Sequence, residues 1–255
     1  YRVDSPACAC QIRASDYIHP FNHWLRSPIP LAPHQSTPFL FEHSRMYIPQ
    51  HYNEDSWDKK KQLIREFPLA TVITIDADGV PIANHFPFYL HEDDQTGKKY
   101  LYAHVAKKNH QLPSLEHNEK VLVIFQSPDS YISPSYYPEK ERTHKFVPTW
   151  DFAALHLYGR SRVIDDFDFV RAQLNLLTDQ QEASRECPWK VDDAPENYTK
   201  LMQKAITGLE IEISETACKY KFEQKMSQEN IEGTIKGLAC DGRHQVSNFV
   251  REANP

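Results

Sequence analysis

The chain has 255 residues, 40% of them hydrophobic and 25% charged, the balance of a globular protein long enough to bury a substantial core. Seven glycines stand against eighteen prolines, and no GxGxxG or GxxxxGK occurs. Both the Rossmann fingerprint and the P-loop are therefore excluded, and any phosphate-bearing ligand has to be held by side chains and strand ends. A net charge of −6 disfavours direct DNA binding, which needs a basic face.

Residues 1–45 hold six of the eighteen prolines, four of the thirteen histidines and no glycine. Neither helical nor strand periodicity runs for any length there, and the segment reads as an irregular, poorly ordered extension. The chain opens on Tyr1 and not on Met, so it reads as a fragment or a processed product. Residues 46–255 carry regular signals. Asp55 or Ser56 caps a helix bearing Trp57, Lys61, Ile64 and Phe67, and Pro68 stops it. The β-branched run 70–75 predicts a strand, and Asp78-Gly79 a turn. Strands follow over 82–89 and 99–105, joined by a hairpin loop marked by Asp93, Asp94 and Gly97. The run 121–125 is apolar on both faces, the pattern of a central buried strand. Another strand covers 155–163, with Gly159 as a bulge or close approach. Four or five closely spaced strands predict a barrel or sandwich.

Beyond them, Phe167, Val170, Leu174 and Leu177 recur at helical spacing. A second helix is predicted over 198–206, ended by Gly208. Residues 209–213 alternate as a half-exposed strand, with 219–225 as its partner. Two C-terminal helices are expected, one with Ile231, Ile235 and Leu238 on its apolar face, the other with Val246, Phe249 and Val250. Five cysteines without a CxxC read as reduced thiols of a cytoplasmic protein. No apolar run is long enough for a membrane helix. Thirteen histidines without HxH or HExxH predict no metal site.

Four stretches could carry chemistry. In Asn84-His85-Phe86-Pro87-Phe88 the histidine is either a ring contact to a ligand or a satisfied structural residue. In His104-Val105-Ala106-Lys107-Lys108-Asn109 a strand ends in a turn with two ammonium groups, which is either a phosphate site or a solvated basic turn. Residues 125–137, with three tyrosines and four serines, form a polar aromatic loop after a buried strand and fit a planar ligand or a subunit contact. In Val147-Pro148-Thr149-Trp150-Asp151 the tryptophan is either a pocket cover or a core anchor.

Taken in order, these segments resemble one family, the PaiB-type FMN-binding negative transcriptional regulators. The resemblance begins at Met46-Tyr47-Ile48-Pro49 and continues through residues 68–74, the two histidine motifs, Phe125-Gln126, residues 131–137 and Val147-Pro148-Thr149-Trp150. Weaker similarity reaches about residue 240. The resemblance implies a mixed β fold, a split β-barrel with flanking helices, forming a homodimer with FMN between subunits. It places Lys107, Lys108 and Asn109 at the FMN phosphate and His85, Pro87, Phe88 and His104 along the cofactor. Gln126, Ser133 and Trp150 would reach it, from the same or the other subunit. Lys107 replaces a usual arginine, which gives up bidentate phosphate recognition, and Asp151 stands where asparagine is frequent. The implied function is an FMN-binding regulator; the alternatives are an FMN-dependent oxidoreductase on the same barrel, or a haem-binding or haem-degrading relative using His85 and His104.

Overall fold

Ser56 starts the first helix by accepting a hydrogen bond from the Lys59 N–H, and α1 (Trp57–Glu66) buries Leu63 and Ile64 before the chain meets Pro68. The structure, a computed structural model, describes residues 46–116 and 118–255. The expected irregular extension over 1–45 lies outside the described residues.

After α1 come β1 (Leu69–Ile75), β2 (Pro81–Pro87), β3 (Tyr89–Glu92) and β4 (Lys99–Ala106). The β1–β2 turn is made by Gly79, at φ +80°, and by Asp76, whose carboxylate accepts from the Asp78 and Val80 N–H groups at 2.9 and 2.8 Å. Then follow α2 (Leu112–Leu115), β5 (Asn118–Gln126), β6 (Ser130–Ile132), α3 (Lys140–Thr143) and β7 (Thr149–Ile164). The chain finishes with α4 (Phe167–Glu182), α5 (Glu196–Gln203), β8 (Ile206–Lys221), α6 (Gln228–Cys240) and α7 (His244–Ala253).

The sheet runs β2-β1-β5-β7-β8-β4-β3, with every neighbouring pair antiparallel and β6 attached to the start of β7. Its two outermost members, β2 and β3, are joined by the single residue Phe88. The chain itself therefore links the ends of the sheet, and closure into a barrel follows. At this corner the Phe88 N–H reaches Pro68 O at 2.9 Å, and its fully buried ring meets Phe125 edge-on. Val72, Leu101, Val123, Leu155, Leu157 and Leu209 fill the interior from the surrounding strands.

Several sequence expectations need correction. The strand predicted over 82–89 breaks at Phe88, where Pro87 has no N–H to continue the ladder and the chain leaves one edge of the sheet for the other. The expected loop over 125–137 contains β6, paired with β7 through Tyr131 and Trp150. The helix predicted to end on Gly208 ends at Gln203, and Gly208 lies inside β8. A Cβ there would stand 2.4 Å from the Phe169 ring, so this glycine serves close helix–sheet packing. Residues 209–213 and 219–225 are not paired strands. One 16-residue strand, β8, pairs with β7 along its length and with β4 over its first half. Gly159 does sit at the β7 register shift, with Glu212 O 2.3 Å from its would-be Cβ. β5 is central as expected, yet its faces differ: Val121, Val123 and Phe125 are buried while Leu122 and Ile124 stay half-exposed on the outer face.

Candidate functional site

The turn after β4 is built around Gln111, which is fully buried. Its amide donates to Val72 O, Thr74 Oγ1 and Ile82 O at 3.0–3.2 Å, and its Oε1 accepts from Asn84 Nδ2 at 3.0 Å. Asn109 tightens the same turn, its Oδ1 accepting from the Gln111 N–H at 2.8 Å. This fixes the path of Lys107, Lys108 and Asn109 against β1 and β2. Lys107 pairs with Asp165 at 2.6 Å, both side chains well exposed, and a pair so placed gains little in water. Lys108 is exposed and has no acceptor among the described residues. A surface depression of about 330 Å³ opens beside Lys107 and Thr207, with Glu116 and Asp165 on its rim.

His85 and Pro87 stand on the outer face of β2. His85 is in register with Thr71 of β1, which is in register with Ile124 of β5, which is in register with His156 of β7. This row crosses a face that carries Ile73, Leu122 and Ile124 half-exposed and Leu69 and Ile75 exposed. His156 was not singled out from the sequence. Its Nδ1 is buried without a hydrogen-bond partner among the described residues, and burial lowers its pKa. Only strand register could have found it, because nothing adjacent in sequence marks it.

The second group lies around β6 and the start of β7. Trp150 is 50% exposed, and so is not a core anchor. Its Nε1 donates to Asp129 Oδ1 at 2.7 Å and Tyr131 meets its ring edge-on. Gln126 Nε2 reaches the other Asp129 oxygen at 3.4 Å. Asp129, also missed from the sequence, therefore sets both predicted side chains; an acid between a glutamine and two aromatics in a loop was the available signal. Ser133 Oγ lies 2.7 Å from Ser135 Oγ at the edge of this group.

Beneath Trp150, Asp151 is fully buried. Lys221 Nζ reaches its Oδ1 at 3.3 Å and also donates to Trp150 O at 2.6 Å and Thr149 Oγ1 at 2.7 Å. The Asp151 Oδ2 has no hydrogen-bond partner among the described residues. Burial first, and then the carboxyl group of Glu223, push the Asp151 pKa up to about 8 against the opposing pull of Lys221. Glu223, itself buried and at φ +65°, accepts from Tyr137 Oη at 2.7 Å. Burial and the neighbouring carboxyl groups also raise the Tyr52 and Tyr137 phenols.

Two of the expected site residues have their side chains engaged elsewhere. The Phe88 ring is in the core. His104 Nδ1 lies 2.9 Å from Gln173 Oε1, which places the imidazole against α4. The others fall into two groups that one protomer does not bring together. Lys107 is anchored to Asp165, just past the end of β7, while Trp150 is the second residue of that strand. Fifteen residues, a contour of roughly 50 Å if straight, separate Trp150 from Asp165 along the strand. Among the described residues there is no cluster of three or more metal-ligating side chains, and no helix is long and apolar enough to cross a membrane.

An antiparallel sheet closed through Phe88 and flanked by helices is a split β-barrel. The chain belongs to the family described as "Putative FMN-binding domain", whose sequence model matches residues 46–215. It is 43% identical over 158 residues to an uncharacterized protein of Saccharomyces cerevisiae, covering 55% of this chain and 92% of that one. It is 29% identical over 193 residues to "Protease synthase and sporulation protein PAI 2" of Bacillus subtilis, covering 76% and 89%. A solved structure, the FAD and haem binding protein from Mycobacterium smegmatis, shares the fold with a TM-score of 0.51 at 20% identity, over 71% of this chain and 79% of that one.

Proposed function

We propose that this protein binds FMN as a homodimer, each cofactor lying between half-sites of two protomers, and that it acts as a regulator, as its resemblance to the PaiB-type family implies. The observation that carries this reading is the separation of the two groups along β7, with an uncovered apolar face beside them. The sequence of β5 is apolar on both sides, yet Leu122 and Ile124 remain half-exposed in one chain. A second copy laid on this face would cover them and bring its own Trp150 group towards the first protomer's Lys107 turn.

The donor set fits the phosphate end. Lys108 is uncommitted, and Lys107 is held only by an exposed ion pair that a phosphate dianion can displace. The Asn109 side chain already serves the turn, so its role is to shape the site. Trp150 and Tyr131 offer exposed aromatic surface for a planar ring, and Gln126 a polar contact at its edge. Bound flavin would supply redox capacity; the chain supplies binding and orientation. With a net charge of −6, regulation through a protein partner is favoured over direct DNA contact. A cytoplasmic location fits the cysteines, of which Cys187, Cys218 and Cys240 are free thiols.

The test is FMN titration of wild type and of the double variant Lys107→Ala, Lys108→Ala, with sedimentation of both. Affinity is expected to fall by more than about 1 kcal/mol, the scale of a lost charge-assisted contact, with the dimer intact. Unchanged affinity removes the phosphate site, and a monomer that retains FMN removes the interface location. Rapid flavin reduction by NAD(P)H with turnover would replace the regulatory reading by an oxidoreductase.

A further inference from the structure

The start of β7 is held in an unusual way. Trp150 presents its indole outward, while its own carbonyl and the side chains on either side of it are gathered by one half-buried lysine. Lys221 contacts Thr149 Oγ1, Trp150 O and Asp151 Oδ1. An ordinary strand start needs no ammonium group for this, because ladder hydrogen bonds suffice. The ammonium also meets the buried carboxyl group of Asp151, beside which lies that of Glu223.

We propose that Asp151, Glu223 and Lys221 form a clamp that positions Trp150, in which the buried Asp151 carboxyl group keeps a proton beside the carboxyl group of Glu223 and loss of that proton loosens the start of β7. Asp151 and Glu223 are thus positioning residues, acting on the flavin half-site through Lys221 and the backbone of Trp150. The inference rests on the proposed flavin site only for its functional meaning.

Charge counting gives the reason. Lys221 from β8, Asp151 from β7 and Glu223 just after β8 are the charged groups of the cluster. Tyr137, after β6, and Tyr52, in the 3-10 turn Gln50–Tyr52, face them with neutral phenols, and the Lys221 ammonium stands 5.7 Å from the Tyr52 ring centre. Tyr137 donates to Glu223, leaving no other donor for Asp151 Oδ2. With a proton on Asp151 the cluster sums to zero. Without it, two buried carboxylates stand beside one half-buried ammonium group, and one negative charge is left uncompensated. Carboxyl groups so placed do not both ionise near neutral pH. A proton on Oδ2 also provides the polar hydrogen that this buried oxygen otherwise lacks. When that proton leaves, Asp151 competes more strongly for Lys221, and the ammonium is drawn from Trp150 O.

The experiment uses the full chain labelled with fluorotryptophan, the Trp150 signal being assigned with Trp150→Phe. Its ¹⁹F resonance is followed from about pH 6 to about pH 10, a range centred near the raised Asp151 value. Wild type is expected to show one transition near the middle of that range. Asp151→Asn, neutral at every pH, is expected to hold the low-pH position throughout. Glu223→Gln, which removes the opposing carboxyl group, is expected to move the transition to lower pH. A wild-type Trp150 signal that does not titrate overturns the proposal, as does an Asp151→Asn protein that titrates like wild type. FMN titration at both ends of the range separates the two readings. Several-fold weaker binding at high pH in wild type but not in Asp151→Asn supports both. No FMN binding with the resonance transition intact supports the clamp and removes the flavin site.

Discussion

Replacing Asp151 by Asn should make this protein more stable at neutral pH, although it removes the ionisable partner of a half-buried lysine. The folded chain holds a proton on Asp151 up to about pH 8, whereas the same carboxyl group ordinarily titrates at 3.8. Between those values the folded state binds a proton that the unfolded state does not. Stability from this group is therefore complete below the ordinary value and is lost as pH rises, with a slope of about −1.4 kcal/mol per pH unit. Across the roughly three units between about pH 4 and pH 7 the loss is about 4 kcal/mol, a large share of a domain's typical 5–15 kcal/mol. Asparagine keeps the shape, keeps an acceptor for Lys221 and never needs a proton. A gain of about 2–4 kcal/mol at pH 7 remains after allowing about 1 kcal/mol for an altered hydrogen bond. The assay is urea unfolding of both proteins, followed by circular dichroism at a series of pH values, with the two stabilities subtracted so that all other titrating groups cancel. The difference should grow in favour of Asn from about pH 5 to about pH 8 and then level off. Parallel profiles, with the variant less stable by a constant amount, would refute a protonated Asp151.

Gly233→Ala tests the seat of α6: the new Cβ would lie 2.1 Å from Tyr136 O. Urea unfolding should show a loss of more than about 1 kcal/mol despite the gain of about 1 kcal/mol in helix propensity. Gln111→Ala removes four buried or part-buried hydrogen bonds that join β1, β2 and the turn after β4; a loss of about 2–4 kcal/mol is expected, again by urea unfolding. Leu122→Glu on the outer face of β5 should change the far-ultraviolet dichroism little while converting the proposed dimer to monomer in sedimentation; a dimer left unaltered would place the interface elsewhere.

The element pattern was largely legible because periodicity and turn chemistry are local. Ser56 and Pro68 bounded α1, Asp78-Gly79 marked the first turn, and the helical repeats of 167–177, 231–238 and 246–250 fell where helices form. Expectations failed where a neighbour distant in sequence decided the outcome. Gly208 looked like a helix stop and is a contact point for Phe169. Residues 209–213 and 219–225 looked like two strands, and β8 runs unbroken from Ile206 to Lys221 because both β7 and β4 were available to pair with it.

The same division holds for the site. Sequence by itself determined the chemical types at hand: two lysines in a strand-end turn, an aromatic loop after an apolar strand, and no glycine-rich phosphate cradle among seven glycines. Those properties depend on composition and near-neighbour spacing. Tertiary structure alone decided which groups meet. It separated the lysine turn from Trp150 by the length of β7, set Phe88 in the core and His104 against α4, and aligned His156 with His85 through two intervening strands. It also buried Asp151 beside Glu223 and within reach of Lys221. Register, barrel closure and burial are long-range properties, and the protonation of a carboxyl group follows the environment they create.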